Sequence, residues 1–250
     1  MKKEISLEGK RILITGGATG LGYGIAAECK DCGAEVIIAG RRRELLEKAA
    51  AGLGVSWFRL DLTDDGGIPA AAGELRKRFG PVDGLVNNAG IQNNKEALDY
   101  SVDEFRTLFE TNVFGAYALT KEIAAGMLER KSGSIVFISS AAAHMGLTKN
   151  LPYSGTKGAL SAMCRALASE FSPKGVRVNA IAPGWIETDL VKVSLERVPE
   201  RRALVERRSM LGRLGTPKDI GMAAVFLLSD ASAYITAMEL KVDGGTTISL

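Results

Sequence analysis

The chain has 250 residues, 46% hydrophobic and 24% charged, which is long enough for a sizeable core and ordinary for a soluble globular protein. Its 32 Lys and Arg against 29 Asp and Glu leave +3, a balance that gives no support to a nucleic-acid partner or to polybasic membrane binding. No apolar run has the length of a membrane span, and "MKKEISLEGKR" has basic residues with no apolar region among them, so neither a membrane role nor a signal peptide is expected.

In chain order, seven apolar runs rich in β-branched residues read as strands: "RILITG" (11–16), "AEVIIAG" (34–40), "VSWFRLD" (55–61), "VDGLVNN" (82–88), "SIVFISS" (134–140), "VRVNAIA" (176–182) and "MELKVDG" (238–244). Several are apolar almost throughout, as strands buried on both faces should be. Cys29 and Cys32 form a C-x-x-C near the end of the first helix-like stretch. With no second cysteine pair, and with the only histidine, His144, far away, they read as reduced thiols of a cytoplasmic protein, not as a metal site. Ser101 and Glu104 make a capping box that opens a long helix to about Arg130. A second helix starts near Tyr153, and a third opens at Thr216-Pro217 with Thr as N-cap. Strand and helix alternate throughout, which predicts a single α/β domain over 1–250: a Rossmann-type, doubly wound, seven-stranded, mainly parallel sheet with helices on both faces. The irregular stretch 185–213 reads as an insertion of short helices.

The first strand runs into "TGGATGLG". Glycines in a strand-to-helix turn let the backbone approach a phosphate that the helix N-terminus then faces. Gly17 to Gly22 has Walker A spacing, but Tyr23 stands where that motif needs lysine. The second strand ends "IIAGRRRE". Gly40 occupies the place of the acid that would hold the ribose hydroxyls of NAD, and Arg41, Arg42 and Arg43 follow. A guanidinium pairs with a 2′-phosphate where a carboxylate would repel it, so NADP(H) is expected in preference to NAD(H), with Arg41 as the principal contact.

With these pieces in order, the chain resembles the short-chain dehydrogenase/reductase family over nearly its full length. The matching residues are T-G-x-x-x-G-x-G at Thr15 to Gly22, N-N-A-G at Asn87 to Gly90, N-V-F-G at Asn112 to Gly115, Ser140, Y-x-x-x-K at Tyr153 and Lys157, P-G-W-I-E-T at Pro183 to Thr188, and V-D-G-G at 242–245. The resemblance implies a Rossmann-type fold, hydride transfer with a nicotinamide cofactor, and a homotetramer. It implies cofactor contacts from Gly16, Thr19, Gly20, Leu21 and Gly22, from Arg41 and Arg42, from Asp61 and Leu62 at the adenine, and from Asn88 and Gly90 along the diphosphate and ribose. Pro183, Gly184, Ile186 and Thr188 would meet the carboxamide, and Lys157, with Tyr153, the nicotinamide ribose. Ala237 departs from the pattern at a place where glycine is common.

Reducing a ketone needs hydride at carbon and a proton at oxygen. Tyr153 reads as the general acid/base, with Lys157 one turn on lowering its pKa. Successive strand residues face opposite ways, so only one of Ser139 and Ser140 can meet the substrate; the resemblance picks Ser140 as the hydroxyl that steadies the developing alkoxide and leaves Ser139 as a strand-end hydrogen bond. Asn112, on the apolar stripe of its helix, must find partners for a buried amide. The resemblance makes it part of a proton relay in which a local irregularity orders a water beside Lys157. No metal ligands are expected. Residues 185–213 read as a lid over the substrate. Their charges (Lys192, Arg197, Arg201, Arg202, Arg207, Arg208 and Arg213 against Glu187, Asp189, Glu196, Glu200 and Glu206) read first as a solvated face. "SLEGKRILITG" and "NNAGIQNNKEAL" resemble sugar-acid dehydrogenases of the gluconate type, and also 3-oxoacyl-(acyl-carrier-protein) reductases. A sugar, polyol or sugar acid is the favoured substrate. A non-catalytic NADP-binding sensor or scaffold is a minor alternative, because Asn, Ser, Tyr and Lys are all present.

Overall fold

Runs of Val, Ile and Leu form buried strands when helices cover both faces of the sheet they build. In the computed structural model, which describes residues 5–64, 66–188, 191–192 and 199–249, these runs are β1 (Arg11–Thr15), β2 (Glu35–Gly40), β3 (Ser56–Arg59), β4 (Gly84–Asn87), β5 (Gly133–Ile138), β6 (Val176–Pro183) and β7 (Glu239–Val242). Their order is β3-β2-β1-β4-β5-β6-β7. The mainly parallel sheet of the sequence reading is parallel in every pairing among the described residues. The run at 55–61 supplies only the four residues of β3, because the chain turns away at Asp61.

The covering helices are α1 (Gly20–Asp31), α2 (Arg43–Leu53), α3 (Ile68–Phe79), α4 (Val102–Phe109), α5 (Gly115–Glu129), α6 (Leu151–Phe171), α7 (Pro199–Arg208) and α8 (Pro217–Leu228). Side chains alternate across the strands and so feed two apolar cores. Ile12 and Ile14 pack with residues of α1, α2 and α8, while Leu13 packs with residues of α3, α5 and α6. Strand order runs outward from β1 to β3 and then restarts at β4 on the other side of β1. The loops after β1 and β4 therefore part and leave a crevice at the carboxyl rim.

The helix expected over 101–130 is present but interrupted. Its capping box forms: Ser101 Oγ accepts from Glu104 N at 3.2 Å and Glu104 Oε2 accepts from Ser101 N at 3.0 Å. Between α4 and α5, Glu110–Phe114 widen into a π turn, in which Gly115 N bonds Glu110 O. Asn112 lies inside that turn, fully buried. α6 begins at Leu151, two residues before Tyr153, with Pro152 in its first turn. Thr216 caps α8 as expected, and Asp219 completes a second capping box.

Among the described residues of 185–213, some of the charges pair with one another and with α8. Arg202 meets Glu187 at 3.1 Å and Glu206 at 2.9 Å, and Arg213 meets Asp219 at 3.1 Å. That is the solvated face of the sequence reading. Asp189, Glu196, Arg197 and the side chain of Arg201 lie outside the described residues. Cys29 is buried, and burial drives its thiol pKa upward, the setting of an inert cysteine. Ala237 has φ 59°, a left-handed conformation that explains why glycine suits that position.

Gly115 opens α5 in backbone contact with the turn after β3: an added Cβ would lie 2.2 Å from the Leu62 carbonyl oxygen. At that distance one of the two backbones must shift. Gly115→Ala should cost about 2 kcal/mol and lower Tm by roughly 4–8 °C. Thermal unfolding followed by circular dichroism checks this, and an unchanged Tm would show that the helix start yields.

Candidate active site

The crevice begins at the end of β1. Gly16 takes φ 67° and Gly20 φ 55°, and a Cβ on Gly22 would lie 2.3 Å from the Gly16 carbonyl. Side chains are excluded there, so the turn and the start of α1 present bare backbone. Thr19 is the N-cap of α1 but makes no side-chain cap, and the first turn holds no acid. The first N–H groups of α1 are left for an anion. Thr15 fixes the facing loop, because its Oγ1 accepts from Asn88 N and Ala89 N, both at 3.0 Å. Asn88 Nδ2 donates back to Thr15 O at 2.9 Å. These residues fit the diphosphate of a dinucleotide.

Farther along the rim, four elements meet. Asn112 Oδ1 accepts from Ile91 N at 2.8 Å, and its Nδ2 donates to Ile91 O at 2.9 Å and to Thr156 Oγ1 at 3.1 Å. The amide thereby ties the π turn to the loop after β4 and to α6. A Cβ on Gly90 would lie 3.2 Å from Asn112 Oδ1 and 3.7 Å from Lys157 Nζ, so this loop passes directly over both side chains. Lys157 is 4% exposed. Its Nζ donates to Ile138 O at 2.7 Å and lies 5.4 Å from the centroid of the Tyr153 ring. Burial holds its pKa down at about 8.

Ser140 follows β5, accepts from Ala142 N at 3.1 Å and stands close enough to Tyr153 to act on its phenol. Ser139 points away and is buried, bonding Lys157 O at 3.1 Å and Ser161 Oγ at 2.9 Å. The division between the two serines is the one the strand alternation predicts. The expected lowering of the Tyr153 pKa is not what the structure gives. Burial raises it, and the opposing influence is the nearby Ser140 hydroxyl. The lysine sits at the ring face and spends its proton on the Ile138 carbonyl, while the phenol loses water. Gly155 packs toward the ring of Phe109, whereas Gly158 has open space around it.

At the other end of the crevice, Arg41 and Arg42 are exposed after β2. Arg43 pairs with Glu47 at 2.8 Å and lies over the Trp57 ring at 5.7 Å, so it is already committed. Asp61 accepts from Thr63 N and Oγ1, at 3.0 and 2.8 Å, and these bonds with the nearby Arg41 and Arg59 charges lower its pKa. It thus shapes its own turn. Leu62 and Ile186 bury their side chains in the cores, which leaves only backbone to meet a ligand. Gly184 N bonds Val242 O at 3.0 Å, one residue after Pro183. The loop then returns so that Thr188 Cγ2 lies 3.6 Å from where a Gly20 Cβ would stand. The structure thus joins the 184–188 loop to the glycine turn, and Asn112, Lys157 and Gly90 to one another.

Two residues of the site were not singled out from sequence. Thr15 and Thr156 hold Asn88 and Asn112, respectively, and each stands inside a motif that was quoted for its neighbours. Their hydroxyls matter only through partners 73 and 44 residues away. No metal-holding cluster of His, Cys, Asp or Glu occurs among the described residues. None of the described helices is long and apolar enough to cross a membrane.

A family model described as "Enoyl-(Acyl carrier protein) reductase" matches residues 16–247. The chain is 37% identical to L-rhamnose 1-dehydrogenase (NADP(+)) of Thermoplasma acidophilum, covering 98% of this chain and 99% of that one. It is 34% identical to a 3-oxoacyl-(acyl-carrier-protein) reductase of Chlamydia pneumoniae, covering 98% and 99%. A solved gluconate 5-dehydrogenase from Burkholderia cenocepacia, in complex with NADP and tartrate, superposes with a TM-score of 0.93 at 29% identity, covering 99% and 98%. The chain belongs to the short-chain dehydrogenase/reductase family of oxidoreductases.

Proposed function

We propose that the protein transfers hydride between NADP(H) and a carbonyl or secondary alcohol, with a sugar, polyol or sugar acid as substrate. The observation that carries this reading is the meeting of Ser140, Tyr153 and a buried Lys157 at the carboxyl rim, with Lys157 Nζ 5.4 Å from the centroid of the Tyr153 ring. When bound, the nicotinamide supplies or takes the hydride. Tyr153 hands its hydroxyl proton to the substrate oxygen, and Ser140 donates a hydrogen bond to that oxygen as charge develops. Lys157 holds the ribose, and its ammonium favours the phenolate that remains. Asn112, in its π turn, orders the route by which the proton is replaced.

Gly16, Thr19, Gly20, Leu21, Gly22, Asn88 and Gly90 take the diphosphate and ribose. Asp61 and Leu62 border the adenine, and Pro183, Gly184, Ile186 and Thr188 border the carboxamide. Arg41 and Arg42 take the 2′-phosphate. Supporting this are Gly40 in place of an acid, the commitment of Arg43 to Glu47, and the names of an NADP(+) relative and an NADP-bound neighbour.

A hydroxylated substrate suits Asn150, three residues before Tyr153. It is 9% exposed, stands at the N-cap of α6 without making a side-chain cap bond, and its Oδ1 has no hydrogen-bond partner. A buried acceptor left unpaired is costly, and a substrate hydroxyl would satisfy it after a turn of the amide. Residues 185–213 close over that substrate. The 3-oxoacyl reductase reading stays second, favoured by the Chlamydia relative. Exposed Phe114, Tyr117 and Tyr234 support assembly into a homotetramer, whose copy number sedimentation equilibrium would count.

NADPH oxidation should be brisk with keto-gluconates or keto-sugars and weak with 3-oxoacyl thioesters. Tyr153→Phe should cut kcat by about a hundred- to ten-thousand-fold; turnover that survives it removes the tyrosine from the chemistry. Arg41→Ala should raise the KM for NADPH about 10- to 100-fold and leave that for NADH nearly unchanged. Equal effects on both cofactors would remove the phosphate contact.

Lys157 gives a pH test. Its folded pKa of about 8 lies below the ordinary 10.5. Between those values the unfolded chain holds the proton and the native chain does not, so stability rises with pH across that window. Below it, both states are protonated and the native state bears the cost of a desolvated cation. The difference in unfolding free energy between Lys157→Met and the parent, by urea titration, should therefore shift in the parent's favour by about 3 kcal/mol from below pH 8 to above pH 10.5. A constant difference would mean that the lysine titrates normally.

A further inference from the structure

Ser140 and Tyr153 stand on different elements, and something must fix β5 against α6. Lys157 and the end of β5 hold each other twice: Lys157 Nζ donates to Ile138 O at 2.7 Å, and Ser139 Oγ reaches Lys157 O at 3.1 Å. The Ser139 hydroxyl also lies 2.9 Å from Ser161 Oγ, one turn farther along α6. Ser161 Oγ in turn donates to Glu239 Oε1 at 2.8 Å. The other carboxylate oxygen of Glu239, at the first residue of β7, faces His144 Nε2 at 3.1 Å.

Each serine has one proton to give. A carboxylate accepts and cannot donate, so it orients the chain: Ser161 gives its proton to Glu239, and the Lys157 carbonyl is left to the Ser139 hydroxyl. Without the carboxylate, Ser161 would turn its proton to Lys157 O, 3.0 Å away on its own helix. It would then compete with the Ser139 hydroxyl for the same carbonyl. The carboxylate also grips the loop on the far side of Ser140, since His144 comes four residues after it. Its charge is felt in the same neighbourhood: burial first, and then Glu239, push the Cys164 thiol up to about 12.

We propose that Glu239 is a positioning residue that, through Ser161 and Ser139 on one side and His144 on the other, sets Ser140 against Tyr153. This rests on the roles given above to Ser140 and Tyr153. It assigns Glu239 no contact with substrate or cofactor.

The test uses the full chain with NADPH and 5-ketogluconate, and acetoacetyl-coenzyme A as a second carbonyl. Glu239→Ala should lower kcat about tenfold, the worth of one charge-assisted hydrogen bond, with the KM for NADPH unchanged. Glu239→Gln, which keeps an acceptor for Ser161, should restore kcat to within about twofold on the same scale. Ser161→Ala should lower kcat in the same direction but by less, because it leaves the His144 contact in place, and the double variant should lose no more than Glu239→Ala alone. Should Glu239→Ala fail to fold, a lowered kcat with an unchanged KM for NADPH in Ser161→Ala supports the proposal, and a parental kcat in it overturns the proposal. Near-parental kcat in Glu239→Ala, with turnover still abolished in Tyr153→Phe, overturns this proposal and leaves the proposed chemistry standing. Turnover that survives Tyr153→Phe overturns both. Hydrogen exchange of the amides at 139–142 decides the matter if neither carbonyl reacts: faster exchange in Glu239→Ala supports the proposal, and unchanged protection overturns it.

Discussion

A parallel sheet sends every strand out at the same rim. Each return to the opposite rim needs a crossover helix, and those helices bury both faces. All the groups of this site descend from that constraint. The glycine turn, the Asn88 loop, Ser140 and the Gly184 loop follow β1, β4, β5 and β6, four neighbours in the sheet order. Their spacing across the rim is set by strand pairing before any side chain acts. The reversal of strand order at β1 and β4 opens the crevice, and Thr15 closes its floor by bonding the two loops together.

Helices complete the site by crossing that rim, and their contributions need side-chain bonds that the sheet does not dictate. Asn112 is the example. Its amide pairs with both backbone groups of Ile91 as a strand neighbour would, and a helix makes that contact only if it swells by a residue. The π turn at Glu110–Phe114 is that swelling, and it turns a buried polar cost into a three-way junction of loop, helix and α6. Gly115 then lets the helix restart against the Leu62 carbonyl.

Strands were legible in the sequence because a both-faces-buried strand is apolar nearly throughout, as Ile12 to Ile14 and Val36 to Ala39 are. Caps were legible because Ser101 with Glu104 and Thr216 with Pro217 act within four residues. The commitment of Arg43 was in principle legible too, since Glu47 stands one turn on. What failed to show was whatever depended on desolvation or on distant partners. The i, i+4 spacing of Tyr153 and Lys157 promises nearness, but not that the phenol loses water while the ammonium turns to Ile138. It therefore gave the wrong sign for the tyrosine. The hydroxyls of Thr15 and Thr156 likewise have no local signature, because their worth lies in groups brought up from other elements.

Burial moves the two central groups in opposite senses, and this is chemically coherent. Tyr153 is held as a neutral phenol, so the proton needed by a reduced carbonyl is present before hydride arrives. Lys157, held at about 8, has an ammonium that water has largely stopped screening. A charge in such a place acts strongly on its neighbours. It costs least when a negative charge appears beside it, and the phenolate formed by proton transfer is such a charge. In the proposed reaction the destabilised cation and the neutral phenol would thus both favour the same displacement of the proton from tyrosine to substrate. The stability the fold gives up at Lys157 would then be recovered as that reaction advances, not in the resting protein.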